Sequence, residues 1–438
     1  MKIAAKTSME LSLAKATLLP PSPERTPPSP RGVGSTRFAL GNGGAAWLLM
    51  AFVLGLGLLL RIYPSSGFDG IGYDENIYRA YVQMAQRAGL SHYGAVVTEY
   101  VQWQEKRPDA VVPATRVGFL WPAAALAELS GLPPNAALRL LSLLASVLLL
   151  FATAVIGYRL GGIERMLVVT ALMAVAPLQI HLAQRSLIDG YFAFWAVLCA
   201  WFLWESLQAP RARGWLAAYG ASLVILVLTK ENAAFVFFAL MATLGLLYAF
   251  RRQSPTWPLL VVSVLAPSVA VMGLSYLVGG IGEWITFYRM FVEKSHALPY
   301  PIQFQDGTWY RYLVDFILLS PCVVLCAAGR VFSLHKEDRV DIFWVLFLGC
   351  SFVLMSSVTN GMSLRFAAYW DEPLRWLAAS QVILLANRFR RVRPALIMVA
   401  AVALLAAVDL SQYSRFFVQS GIYDPVSAQL LHSSKLIK

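Results

Sequence analysis

Gln253–Gly282 reads QSPTWPLLVVSVLAPSVAVMGLSYLVGGIG, thirty residues without one charged side chain. About 20 apolar residues span the hydrocarbon core of a bilayer as a helix. Working outward, Phe38–Leu60 and Ile342–Leu364 are uncharged runs of 23 residues each. The 438-residue chain is 58% hydrophobic and 14% charged, with a mean hydropathy of +0.60. A soluble domain carries about 25% charged residues and about 45–50% apolar ones. A water-soluble globule of this composition could not cover its own core, so the sequence reads as an all-α polytopic membrane protein.

Eleven spans are expected, at about 38–60, 137–158, 166–182, 188–207, 214–229, 233–250, 256–278, 312–329, 341–358, 374–387 and 394–410. Basic clusters fall in alternate connections: Arg159/Arg165, Arg211/Arg213, Arg251/Arg252, Arg330/Lys336/Arg339 and Arg388/Arg390/Arg391/Arg393. Short loops rich in Lys and Arg stay in the cytoplasm, and a cytoplasmic N-terminus places all five there. On this arrangement the cytoplasmic side holds 19 Lys and Arg against 7 Asp and Glu, and the outer side holds 17 of each. The net charge of +12 therefore belongs to one face. Membrane orientation accounts for the basic pI, and no nucleic-acid partner is needed.

Residues 1–37 carry two Pro-Pro-Ser-Pro runs, which favour an extended, solvated cytoplasmic tail. A transmembrane domain over 38–410 and a short outer segment over 411–438 follow. The four cysteines, Cys199, Cys322, Cys326 and Cys350, lie in apolar runs. Cys322 and Cys326 are one turn apart, but no further ligand completes a metal set, so all four read as buried apolar residues without disulfides. No dinucleotide fingerprint, P-loop or HExxH motif occurs.

The outer face carries the informative sequence. Its first loop, 61–136, contains an amphipathic helix from Asp74 to Ala88, with Ile77, Tyr81, Met84 and Ala85 on one face and Gly89 as the stop. Phe119–Leu129 is apolar but too short to span. A second loop, 279–311, places Trp284, Phe287, Tyr288 and Phe291 at helical spacing, as an interfacial helix would.

Charges at the ends of spans are costly and point to function. Gly72-Tyr73-Asp74-Glu75-Asn76-Ile77-Tyr78 offers adjacent carboxylates, one of which can serve as a base; the plainer reading is Asp74 as helix cap and Glu75 as first-turn acid. Arg185 and Asp189, at i and i+4, can act on a substrate or simply neutralise each other. In Thr229-Lys230-Glu231-Asn232, Lys230 is either a phosphate anchor or the partner of Glu231. Arg365, with Tyr369, Trp370, Asp371 and Glu372, is either functional or an interfacial belt. Together these acids and bases suit a substrate with an anionic head and an apolar tail, met at the outer leaflet.

At these residues the chain resembles the integral-membrane GT-C glycosyltransferases, in the branch of protein mannosyltransferases, lipid A aminoarabinose transferases and rhizobial lipopolysaccharide-core transferases. The similar stretches are Gly72–Tyr78, Arg116–Pro122, Ala176-Pro177 through Arg185 to Asp189, Thr229–Asn232 and Leu364–Pro373, in the family's order across about residues 40–390. The resemblance implies packed spans with loop helices enclosing a cavity at the bilayer surface. It implies transfer of a sugar from a polyprenyl-phosphate donor to a lipid, glycan or protein acceptor, usually with inversion. Asp74 would then be the base with Glu75 beside it, and Asp189 a second acid shaping an acceptor or metal site. Arg116 would lie near the donor phosphate, with Lys106 and Arg107 as alternatives. Some relatives have Lys-Pro where this chain has Arg116-Val117.

The expected mechanism is direct displacement, with Arg185, Lys230 and Arg365 among the cations that hold the phosphate. A divalent metal on Asp74 and Asp189 is an optional addition. His296, with Arg289 and Lys294, sits on the segment expected to close over the lipid head. A transporter or flippase is the rival class, but such proteins place their charges near the midplane at repeat interfaces, and no repeat is visible here.

Overall fold

The computed structural model describes residues 43–438 except 64, 66, 390–392 and 438. The Pro-rich segment 1–37 and Arg390 and Arg391 lie outside the described residues. The described residues are helical, without strands. In chain order the helices are α1 (Gly43–Ile62), α2 (Tyr73–Ala88), α3 (Tyr93–Glu105), α4 (Val117–Ser130), α5 (Pro134–Ala174), α6 (Pro177–Ala183), α7 (Ile188–Gln208), α8 (Arg213–Thr229) and α9 (Ala233–Ala249). They continue as α10 (Trp257–Val278), α11 (Ile281–Ser295), α12 (Arg311–Leu319), α13 (Pro321–Phe332), α14 (Arg339–Ser356), α15 (Asp371–Arg388), α16 (Pro394–Tyr413) and α17 (Ser427–Ser433).

Each expected span falls on a helix, with three changes. Pro134–Ala174 form one 41-residue element, broken at Gly162, whose φ of 74° and ψ of −169° are not helical. The break is a hairpin: a Cβ on Gly157 would lie 2.8 Å from the Cα of Met166, nine residues on. In a straight helix those positions are about 13 Å apart. The expected 166–182 span stops at Ala174, because Pro177 starts a separate short helix. Pro177 has no N–H to give, and Arg61 supplies donors instead, to the carbonyls of Met173 and Ala174 at 3.0 Å each. The expected 312–329 span is two helices bent by 118° at Ser320-Pro321.

Six described helices are long and apolar enough to cross a bilayer, or seven with the bent pair as one. That is fewer than eleven because α5 joins two arms, α8 and α9 have 17 residues each, and α15 carries buried Glu372 and Arg375.

The bundle is organised around α7. Some 89% of its apolar window is buried, against 28% for α1 and 17% for the α16 segment. Helix α7 packs on α5 and α8, α10 covers α8, and α15 fills the space between α5, α13 and α14. Where α1 crosses α5, Gly57 permits the approach: a Cβ there would lie 2.6 Å from Leu150 and 3.0 Å from Ala174. At one end of the bundle Arg159 pairs with Glu205, Arg165 with Asp341 at 3.0 Å, and Arg330 with Asp341 at 2.6 Å. The start of α7 lies at the opposite end, and the acids and bases of interest gather there.

Candidate active site

Asp74 is not the cap of its helix. Gly72 takes that position with extended φ/ψ, and Asp74 follows in the first turn of α2. The glycine is needed for space: a Cβ on it would lie 2.0 Å from the ring of Tyr423. Asp74 is left at a cavity wall with 18% of its side chain exposed, bonded to Arg365 at 2.7 Å.

Glu75, one residue on, has a different environment. It accepts hydrogen bonds from the backbone N–H of Gly72 at 2.7 Å and of Ser186 at 2.6 Å, and pairs with Arg185 at 2.5 Å. Neither Glu75 nor Arg185 is among the described residues that line the cavity.

The i, i+4 pairing of Arg185 with Asp189 does not form, because Leu187 is extended and separates α6 from α7. Asp189 instead receives Lys230 at 2.5 Å and lies 3.9 Å from Arg365. Lys230 is itself extended at the end of α8, so it and Glu231 diverge. Glu231 takes Arg116 through two nitrogens, at 2.8 and 3.2 Å, while a third reaches the hydroxyl of Tyr78. Gly118 brings the start of α4 against this turn, where a Cβ would lie 2.8 Å from Thr229.

Arg365 stands on the 3-10 turn Leu364–Trp370 and faces three acids: Asp74, Asp189 and, at 3.4 Å, Asp424. Burial alone would pull its guanidinium down in pKa, but the three carboxylates outweigh that and hold it well above the ordinary value. Its Nε and Nη1 are buried without a hydrogen-bond partner. For Lys230 burial wins: desolvation, opposed by Asp189, lowers its pKa to about 8.

Asp424 was not foreseen. It lies in the segment after α16 and accepts hydrogen bonds from Ser363, from Gln305 at 2.6 Å and from Tyr300 at 3.3 Å. The only local signal is Asp424-Pro425, which marks a turn and not the long-range contact.

Asp74, Arg116, Lys230, Arg365 and Asp424 share one cavity of about 780 Å³, which also reaches Arg107. Arg107 pairs with Asp109 at 3.4 Å, whereas exposed Lys106 is not among the lining residues. His296 borders an adjoining chamber of about 260 Å³ that shares Arg116 and Lys230, and it bonds Asn360 at 2.8 Å. The segment over both chambers is tied down by Lys294, which donates to the carbonyl of Arg107 at 2.7 Å, and by Phe287, 5.4 Å from Tyr100. The helix expected over Trp284–Phe291 is present as α11.

Among the described residues no three His, Cys, Asp or Glu side chains are grouped to hold a metal ion. Arg365 already contacts both Asp74 and Asp189, the acids a bridging ion would need. The described residues here do not fit a divalent metal.

The fold is similar to that of ArnT from Cupriavidus metallidurans bound to undecaprenyl phosphate, at a TM-score of 0.57 and 16% identity, covering 90% of this chain and 78% of that one. The chain has a fold like that of ArnT. The apo form of the same ArnT matches at a TM-score of 0.53 and 14% identity over 89% and 77% of the two chains. The Archaeoglobus fulgidus oligosaccharyltransferase tethered to an acceptor peptide matches at a TM-score of 0.50 and 11% identity, covering 86% of this chain and 56% of that one. Residues 116–285 match the family profile of dolichyl-phosphate-mannose-protein mannosyltransferase. That stretch holds Arg116, Asp189 and Lys230 and excludes Asp74 and Arg365. No curated protein sequence matches the chain significantly.

Proposed function

We propose that this protein is an inverting glycosyltransferase that moves a sugar from a polyprenyl-phosphate donor to an acceptor at the outer face of the bacterial cytoplasmic membrane. The observation that carries the reading is Asp74: a partly exposed carboxylate on a cavity whose wall also presents Arg116, Lys230 and Arg365. The profile match and the ArnT-like fold support it, since ArnT is seen with a polyprenyl phosphate bound.

Asp74 takes the proton of the acceptor nucleophile as the new bond to the anomeric carbon forms. The bond from that carbon to the phosphate oxygen breaks on the opposite face, and its electron pair leaves with the lipid phosphate. Lys230 and Arg116 meet the charge that grows on that oxygen. The Nε and Nη1 of Arg365, which make no hydrogen bond, add donors beside the base. Glu75 and Arg185 act on position, fixing the start of α2 to the α6–α7 turn.

A positioned base contributes about 10²–10⁴-fold. Asp74→Asn is therefore expected to lower transfer at least about a hundredfold. Mass spectrometry of envelope lipids and glycans, with wild type and with the variant, checks it. An unchanged glycan profile on deleting the protein would refute the proposal.

A further inference from the structure

Three concavities run in series from the reacting centre. The main cavity shares Phe68, Tyr423 and Gln429 with a second of about 520 Å³, formed largely by the C-terminal segment. The second shares Ser420 and Ser433 with a third of about 530 Å³, between the end of α16 and α17. The lining changes along the way. The inner cavity carries Asp74, Asp109 and Asp424, whereas the two outer ones have no carboxylate among their described lining residues. The outermost has Arg415 and Lys435 among serine hydroxyls.

These two cations differ from those at the centre. Arg116, Lys230 and Arg365 are each paired with a carboxylate. Among the described residues Arg415 bonds only the Ser433 carbonyl, at 3.1 Å, and lies 5.9 Å from the ring centre of Phe416, and Lys435 has no ion pair. At the junction of the first two cavities stands Tyr423, whose buried hydroxyl has no hydrogen-bond partner. A buried hydroxyl left unpaired is costly. Here it lies beside Gly72, two residues before Asp74.

We propose that this series is the acceptor's path, and that the acceptor carries an anionic group, a phosphate or carboxylate, held by Arg415 and Lys435 while its nucleophile passes Tyr423 to reach Asp74. The donor phosphate is served from the other side, by Arg116 and Lys230, which line the chamber under α11. The inference rests on the glycosyltransferase reading and adds the acceptor's charge to it.

The test separates the envelope lipid extract on an anion exchanger into anionic and neutral fractions, and offers each to the full-length protein with the double variant Arg415→Gln/Lys435→Gln as comparison. Acceptor activity is expected in the anionic fraction. The double variant should raise the acceptor KM at least about tenfold, the loss of one or two charge-assisted hydrogen bonds, with kcat kept. Tyr423→Phe should raise it as well. Native mass spectrometry supplies a readout independent of turnover. Wild type should retain a species from the anionic fraction that the double variant does not, while both retain undecaprenyl phosphate equally.

Acceptor activity in the neutral fraction, or an unchanged KM, would overturn the proposal. So would a double variant that loses only its response to added phosphatidylglycerol vesicles, because the groove would then hold a bulk lipid headgroup. Retention of the anionic species without any transfer by wild type would refute the glycosyltransferase reading and leave the anion site standing.

Discussion

Asp74 and Glu75 are neighbours in sequence, and the structure predicts opposite consequences of changing them. Glu75→Ala leaves Arg185, 8% exposed, without its carboxylate, and orphans the N–H groups of Gly72 and Ser186. Stranding one member of a buried pair costs about 3–5 kcal/mol. Each unsatisfied N–H adds about 1–3 kcal/mol, not additively at one site. A loss of at least about 3 kcal/mol is expected, against a typical total of about 5–15. Asp74→Asn keeps the side-chain shape and an oxygen that can accept from Arg365. Because Asp74 is partly solvated, its cost should stay near about 1 kcal/mol. Tryptophan-fluorescence melting in detergent, together with donor-dependent transfer at matched protein, reads both. Glu75→Ala should melt early or fail to accumulate, and Asp74→Asn should melt like wild type and be inactive. A stable, inactive Glu75→Ala beside an active Asp74→Asn would exchange the roles assigned here.

Lys230 gives a pH dependence with two signs. Its pKa falls from 10.5 in the unfolded chain to about 8 in the fold, so the cation is present at the site below about 8 and lost above it, and transfer should decline as pH rises through that value. Between about 8 and 10.5 the unfolded chain binds more protons, so this residue's contribution to stability should rise with pH across the same window. A pH–rate profile and melting at matched pH check the two trends. Gly72→Ala forces a methyl into the ring of Tyr423 and should cost about 1–3 kcal/mol as overpacking, read as a lower melting temperature; an unchanged melting temperature would show that the ring gives way freely. In a chain with its four cysteines replaced, cysteines at Ser91 and Thr308 should be labelled from outside intact cells, and one at Lys336 only after permeabilisation.

Most helices and the charged turns between them were legible in the sequence, because uncharged runs and charged interruptions are one-dimensional signals, but the number of spans was not. Asp74, Arg365, Asp189 and Lys230 follow one another in a chain of ion pairs, and Arg116 lines the same cavity as Asp74. The pairings were not legible. Spacing rules assume an unbroken helix, and extended Leu187 and Lys230 break it at both places where local ion pairs were considered. Arg185 therefore reaches back to Glu75, and Lys230 crosses to Asp189. Adjacent helical residues diverge by about 100°, which is why Asp74 and Glu75 do not act as a pair. Asp424 escaped notice because its contacts reach residues more than sixty positions earlier in the chain, including Ser363 and Gln305.

The most direct test follows the donor in proteoliposomes that contain the purified protein and an envelope lipid extract. The labelled sugar of a polyprenyl-phosphate sugar should leave its carrier, with one free polyprenyl phosphate appearing per sugar transferred, in wild type and not in Asp74→Asn. A protein that moves the intact donor across the bilayer without cleaving it, equally well in both forms, would contradict the account and mark the chain as a transporter.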